Sequence, residues 1–201
     1  MKATSIDFRS IGQWIILLAV ASSATLLIAQ QQEIDRLDTI IEAQSTVIRH
    51  QRQWETQAAS HLEILRKYNI PYRYLEVLAS ASADNDLDLD FMVGLMQVES
   101  AFNPNAASNK DAYGLMQVRF PTAREIDPSL ESFWQLFDPE RNINLGVVYF
   151  RNLLDRYDGN YRIASEAYNR GPTRLDGDML DNLDISDHYY RRIRAAGIVD
   201  N

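Results

Sequence analysis

Residues 92–104, Met-Val-Gly-Leu-Met-Gln-Val-Glu-Ser-Ala-Phe-Asn-Pro, form an apolar stretch of helical period that closes on an acid. Leu89, Met92, Val93 and Met96 recur at spacings of three and four. Glu99 falls on the same face, three residues past Met96 and seven past Met92. The pattern turns a carboxylate toward the core. Burial disfavours its ionisation, and the negative end of the helix dipole pushes the same way, so such a glutamate holds its proton and is able to donate it. That is the profile of a general acid. The competing reading is a helix-terminal glutamate half in solvent.

The flanks of this helix are legible. In the acid-rich run from Asp84 to Asp90, Asp86 or Asp88 caps the helix carrying Glu99, with acids favoured at its positive end. A calcium loop is not expected there, because Leu89 stands where the sixth-position glycine belongs and Leu95 where the twelfth-position glutamate belongs. The helix is expected to stop at Phe102-Asn103-Pro104.

Further on, Pro121-Thr122 opens a second helix. A third is better defined: Asp138 caps it, Pro139 takes the first turn, and Ile143, Val147, Phe150, Leu154 and Tyr157 make one apolar face ended by Asp158-Gly159. Short helices over roughly 161–169 and 186–196 complete the reading. No alternating run is long enough to predict a strand, so the fold class expected is all-α.

Toward the N-terminus the composition changes character. Ile11 to Ala29 carries no charge over 19 positions, close to the length of a bilayer-spanning helix. Lys2 and Arg9 precede it, which orients the start toward the cytoplasm and the rest outward. A cleaved signal peptide competes, with Ser22-Ser23-Ala24 as a small-residue cleavage site. The apolar run continues through Leu26, Leu27 and Ile28, which favours a retained anchor.

From Gln31 to Lys67, Ile34, Leu37, Ile41, Ile48, Ala58, Leu62 and Leu65 follow a heptad seam interrupted by Gln44, Gln51 and Glu55. This predicts a helical stalk, either a plain spacer or a dimerisation and docking element. Its 37 residues, at a rise of about 1.5 Å each, would span roughly 55 Å. Pro71 disfavours helix at Ile70 and marks the boundary. The expected organisation is 1–30 as cytoplasmic tip and transmembrane anchor, 31–75 as stalk and 76–201 as the globular domain.

Composition excludes several functions. A formal net charge of −8 with no basic block argues against nucleic acid as a partner. The absence of cysteine removes disulfides, thiol nucleophiles and thiolate metal sites. His50, His61 and His188 lack metal-ligand spacing.

Four pieces stand in fixed order: Glu99-Ser100-Ala101-Phe102-Asn103-Pro104; Ala107-Ser108 with Gly114-Leu115-Met116-Gln117; Asn144-Leu145-Gly146; and Ala167-Tyr168-Asn169 with Gly171-Pro172. Together, over about residues 76–196, they resemble the catalytic domain of the soluble lytic transglycosylases, which share an all-helical, goose-type-lysozyme-like fold and cleave peptidoglycan glycan strands.

The resemblance implies that Glu99 is the single catalytic acid/base. It protonates the glycosidic oxygen between N-acetylmuramic acid and N-acetylglucosamine, then takes a proton from the muramic 6-hydroxyl as this closes a 1,6-anhydro ring. No water, metal or organic cofactor takes part. It further implies that Gln117 bonds the sugar, that the Tyr168 hydroxyl approaches the acid, and that Ser100, Ser108 and Asn169 lie near acid or substrate; Tyr189 or Tyr190 matches a C-terminal aromatic only loosely. Each has a local alternative: a loop amide satisfying backbone for Gln117, a core aromatic for Tyr168, helix-end and turn groups for the others.

One departure stands out. Arg119 replaces the methionine usual after the Gly-Leu-Met-Gln motif, where it either pairs with a substrate carboxylate or points to solvent.

A hydrolytic, lysozyme-type site needs a second carboxylate, for which Asp111 and Glu166 are the nearest candidates. The expected protein is thus a peptidoglycan-cleaving enzyme anchored in a bacterial inner membrane and facing the periplasm. The stalk is read either as a plain helical spacer or as the seat of a homodimer or cell-envelope complex. The alternatives are a muramidase, or a catalytically silent glycan-binding scaffold.

Overall fold

Residues 8–181 and 183–196 are described by a computed structural model of the chain. Between Ala58 and Ala59 it divides into two compact units.

In the first unit the chain is helical from Phe8 onward, in the helix α1 (Phe8–Tyr68). This helix is long and apolar enough to cross a membrane by length and composition. Trp14, Ile15, Leu18, Leu26 and Leu27 are all exposed along it. Past the apolar segment, local pairs such as Gln31 with Asp35 and Gln51 with Glu55 decorate the helix at i, i+4 spacing.

The second unit begins with the last turns of α1 and continues through α2 (Tyr72–Asp84), α3 (Leu89–Ser100), α4 (Phe120–Ile126), α5 (Pro139–Arg156), α6 (Tyr161–Arg170), α7 (Pro172–Leu180) and α8 (His188–Ala195). A 3-10 turn spans Phe133–Phe137. The expected all-α class holds.

The structure adds α2, α7 and the 3-10 turn to the helices read from sequence, and among the described residues it adds an antiparallel pair of two-residue strands, β1 (Ala112–Tyr113) and β2 (Val118–Arg119), which closes the segment carrying Gly114 to Gln117. Strands this short leave no alternation to detect.

The helices form where their signals stand. Asp88 Oδ1 accepts from Phe91 N at 2.7 Å and so caps α3, and Asp138 Oδ1 accepts from Arg141 N at 2.8 Å at the head of α5. Helix α3 ends at Ser100, short of the expected stop at Phe102-Asn103-Pro104. Ala101 is already left-handed (φ 49°), and its N–H closes on Gln97 O at 2.9 Å.

Packing follows the apolar faces. Helix α5 lies against both α2 and α6, while α3 lies between α2 and α8. Leu75 and Leu78 of α2, Met92, Leu95 and Met96 of α3, and Ile143, Val147 and Phe150 of α5 meet in the core, all fully buried. Removing this much apolar surface from water is the main source of stability.

Ile64 and Tyr68, at the end of α1, belong to the same core. Lys67 Nζ bonds Asp90 at 2.8 Å, tying that end to the first turn of α3. The core therefore holds α3 firmly, and Glu99 rides on its last turn.

Candidate active site

Glu99 occupies the penultimate position of α3, partly buried. Its carboxylate accepts a hydrogen bond from the Tyr189 hydroxyl of α8. Burial pushes the carboxyl up to about 7; the Tyr189 hydrogen bond and the positive charges of Arg192 and Lys110 oppose that rise.

The acid sits where the chain turns sharply. Ala101 and Phe102, immediately after α3, both take left-handed conformations (φ 49° and 61°), as do Asp111 (56°) and Gln117 (49°). Non-glycine residues occupy this region only when their surroundings hold them there, and such positions gather at functional sites. Here the holding contacts are visible. Ser100 Oγ lies 2.7 Å from Leu115 O and 3.2 Å from Met96 O, joining the end of α3 to the Gly114–Gln117 segment. The Gln117 amide donates to Ala106 O at 3.1 Å and Gly114 O at 3.0 Å.

The far side of the same segment is clamped by α5. Asn142 is fully buried; its Oδ1 accepts from Met116 N at 2.7 Å and its Nδ2 donates to Tyr113 O at 2.8 Å and Leu136 O at 2.9 Å. One turn on, Gly146 leaves room for Met116, whose Cβ would lie 2.4 Å from any Cβ added at that glycine. Gly114 is at φ 77°, and an added Cβ there would meet Leu136 O at 2.3 Å. The spacing of Asn142 to Gly146, one helical turn, was the available sequence signal for this clamp, and reading Asn144-Leu145-Gly146 as the unit missed it. Asn144 is exposed and lines a separate depression of about 450 Å³ with Asp127, Asp138 and Arg141.

The other expected site residues fall as follows. Tyr168 is buried in α6 and donates to Met116 O at 2.7 Å, so its hydroxyl serves the loop next to Glu99, and Tyr189 supplies the hydroxyl that bonds the acid. Burial, then the nearby charge of Glu99, drives both phenols well above their ordinary range. Ser108 is exposed, its Oγ accepting from Lys110 N and Ala112 N at 3.2 Å each. Asn169 is exposed in the last turn of α6, and Arg119 is exposed on β2.

Of the two candidate second acids, Asp111 is exposed and accepts from the Tyr113 hydroxyl at 3.5 Å. Glu166 is buried and accepts from Tyr189 N at 3.0 Å.

A helical domain in which one half-buried carboxyl ends an apolar helix, held by a phenol and faced by cations, belongs to the lysozyme-like class. Residues 76–182 match the family model described as Transglycosylase SLT domain, and the chain belongs to that family.

Among similar proteins, the membrane-bound lytic murein transglycosylase C of Serratia proteamaculans is 34% identical over 137 residues, covering 64% of this chain and 37% of that one. The soluble lytic murein transglycosylase of Escherichia coli is 32% identical over 110 residues, covering 52% of this chain and 17% of that one. This chain therefore matches well under half the length of these relatives.

Among solved structures, the 70 kDa soluble lytic transglycosylase of Escherichia coli superposes with a TM-score of 0.55 at 28% identity, covering 64% of this chain and 24% of that one. A lytic transglycosylase of Pseudomonas aeruginosa, solved as an inactive mutant, gives 0.50 at 30% identity, covering 59% and 20%.

Proposed function

We propose that this chain is a peptidoglycan lytic transglycosylase with Glu99 as its one acid/base. The observation that carries the reading is the partly buried Glu99 carboxyl at the end of α3, bonded by the Tyr189 hydroxyl, where burial pushes it up to about 7. A group poised there supplies both protonation states at neutral pH, which a one-residue mechanism requires.

Protonated Glu99 gives its proton to the glycosidic oxygen as the bond from C1 of N-acetylmuramic acid breaks. The resulting carboxylate then takes the proton of the muramic 6-hydroxyl as O6 bonds C1. One C–O bond breaks, one forms, no water enters and Glu99 ends protonated. Glu166 gives little support to a hydrolytic route, because a base for water must meet water, and its carboxylate is buried against Tyr189 N.

The remaining residues divide by what is left free. Gln117 commits its amide nitrogen to two carbonyls, so its oxygen is the part offered to a sugar donor. Ser108 and Asn169, both exposed, are assigned to glycan contact. Ser100 and Tyr168 are assigned to holding the loop that carries Leu115 and Met116.

The apolar segment of α1 supports anchoring, and we place the protein in a bacterial inner membrane by a single pass, with the catalytic domain in the periplasm. The three-part organisation of tip and anchor, stalk and catalytic domain is kept with the boundary between stalk and domain moved from residue 75 to Ala58–Ala59, because Ile64 and Tyr68 belong to the domain core. The exposed seam Ile34, Leu37, Ile41 and Ile48 supports self-association through the stalk; a strictly monomeric full-length chain in detergent sedimentation would refute that point.

Digestion of purified sacculi followed by mass spectrometry tests the activity. Products ending in 1,6-anhydro-muramic acid are expected. Reducing ends would instead make the protein a muramidase, and the absence of soluble products would make it a glycan-binding scaffold.

A further inference from the structure

Among the described residues Glu166 is the one fully buried acid, at 3% exposure, and the acid/base chemistry of Glu99 makes no use of it. It lies on α6 between Ile163 and Ala164 on one side and Ala167 on the other, all of them buried. An ionisable group is costly at such a position unless something repays its desolvation. The observed partner is the backbone of α8: Glu166 Oε1 accepts from Tyr189 N at 3.0 Å.

That bond answers a need of α8. The first N–H groups of a helix lack intrahelical partners, and Asp187, in the cap position, makes no side-chain capping bond. Glu166 supplies the missing acceptor from another helix. The residue it holds is the one whose hydroxyl bonds Glu99. Tyr189 is thus fixed at both ends, by Glu166 at its backbone and by Glu99 at its phenol. Farther along α8, Ile193 O lies so close to Gly94 of α3 that an added Cβ would sit 2.6 Å from it. Between these two points α8 has little freedom to shift along α3.

We propose that Glu166 is a positioning residue for the catalytic acid, acting through Tyr189: it fixes the first turn of α8 so that the Tyr189 hydroxyl meets the Glu99 carboxylate. The inference rests on the reading of Glu99 as the acid/base. It requires an acceptor oxygen at position 166, and so distinguishes an amide, which keeps one, from an aliphatic side chain, which does not.

The groups facing Glu99 are Tyr189 and Arg192 from α8, Lys110 from the loop after α3, and Tyr168 from α6. Of these, α8 carries two that favour the ionised form, so loosening its first turn lets the Glu99 titration rise.

The test uses the full chain in detergent micelles with side-chain carboxyl labels on glutamate. Glu99 is followed by NMR titration and turnover is measured on sacculi. Glu166→Gln is expected to titrate and turn over like the wild type. Glu166→Leu is expected to move the Glu99 midpoint upward and to lower turnover on the order of tenfold, with KM little changed. Tyr189→Phe is expected to move the midpoint the same way, and adding Glu166→Leu to it to move it no further.

If Glu166→Leu does not accumulate folded, Glu166→Asp takes its place. The shortened carboxylate falls short of Tyr189 N, and the same upward movement is expected. A wild-type midpoint and turnover in Glu166→Leu or Glu166→Asp, with lowered thermal stability alone, would overturn the proposal. So would fully additive effects in the double variant, or a Glu166→Gln midpoint displaced as far as that of Glu166→Leu. A wild type that releases no anhydro products would refute the activity while leaving the titration readable.

Discussion

The hydroxyl of Tyr189 donates to the carboxylate of Glu99 across 90 residues of sequence, joining α8 to the end of α3. The bond opposes burial: desolvation raises the carboxyl, and the phenol, Arg192 and Lys110 bring it back to about 7. The acid is therefore tuned by a helix that carries no part of the Glu-Ser motif. Its protonation depends on how α8 packs.

Activity is expected to fall as pH rises through about 7, because the free enzyme must present Glu99 protonated. Tyr189→Phe removes a bond that favours the ionised form, so the alkaline limb of the kcat/KM profile moves to higher pH while maximal turnover drops. A limb that stays in place would separate Tyr189 from the titration of Glu99.

The same burial makes Glu99 a liability for stability. Its folded pKa, about 7, lies above the ordinary 4.5, so between those values the unfolded chain releases a proton that the folded one keeps. Stability contributed at low pH is accordingly lost as pH rises across that window. Glu99→Gln, which cannot ionise, should melt higher than wild type above pH 7, by at most about 3 kcal/mol, with the gap closing toward pH 4. Thermal melts of both proteins across this range read the sign directly.

Gly94 lets α3 and α8 approach closely. A Cβ there would meet backbone, the carbonyl of Ile193 at 2.6 Å, and so Gly94→Ala must displace α8. The expected cost is about 1–3 kcal/mol in chemical denaturation. The pH profile should shift in the direction of Tyr189→Phe. Unchanged stability and profile together would show that α8 yields freely.

Asn142 is the clamp of the Gly114–Gln117 segment. Asn142→Asp keeps the acceptor for Met116 N but turns a carboxylate toward the carbonyls of Tyr113 and Leu136, which now receive hydrogen bonds from Nδ2. Destabilisation of about 1–3 kcal/mol per orphaned group is expected in urea unfolding, with activity lost in proportion to loop disorder. A variant as stable as wild type would remove Asn142 from the account.

Much of this was legible because the signals are local. The caps Asp88 and Asp138, the proline at the head of α5 and the face Ile143, Val147, Phe150 and Leu154 act within a few residues and were readable as such. Helix periodicity alone leaves Glu99 readable as a half-exposed helix-end acid; the ordered motifs downstream, Gly114 to Gln117 and Ala167 to Asn169, are what single it out.

What escaped the reading joins distant residues. Nothing near Tyr189 says that its hydroxyl, and not that of Tyr168, reaches the acid; the hints are the loose match of Tyr189 or Tyr190 to a C-terminal aromatic and the four-residue spacing of Tyr189 and Ile193, which the structure shows to be the buried face of α8. Glu166 looked like a spare acid because sequence shows the carboxylate and hides the backbone N–H it serves. Asn142 was passed over for its exposed neighbour Asn144, a difference that two positions of helical rotation create.

The central claim is that one carboxyl, Glu99, performs both proton transfers. Its most direct test is the yield of 1,6-anhydro-muropeptides from sacculi treated with the Glu99→Gln chain, measured by mass spectrometry against wild type. The account predicts a yield reduced to background, with the variant folded and still sedimenting with sacculi. Anhydro products released at the wild-type rate would contradict it.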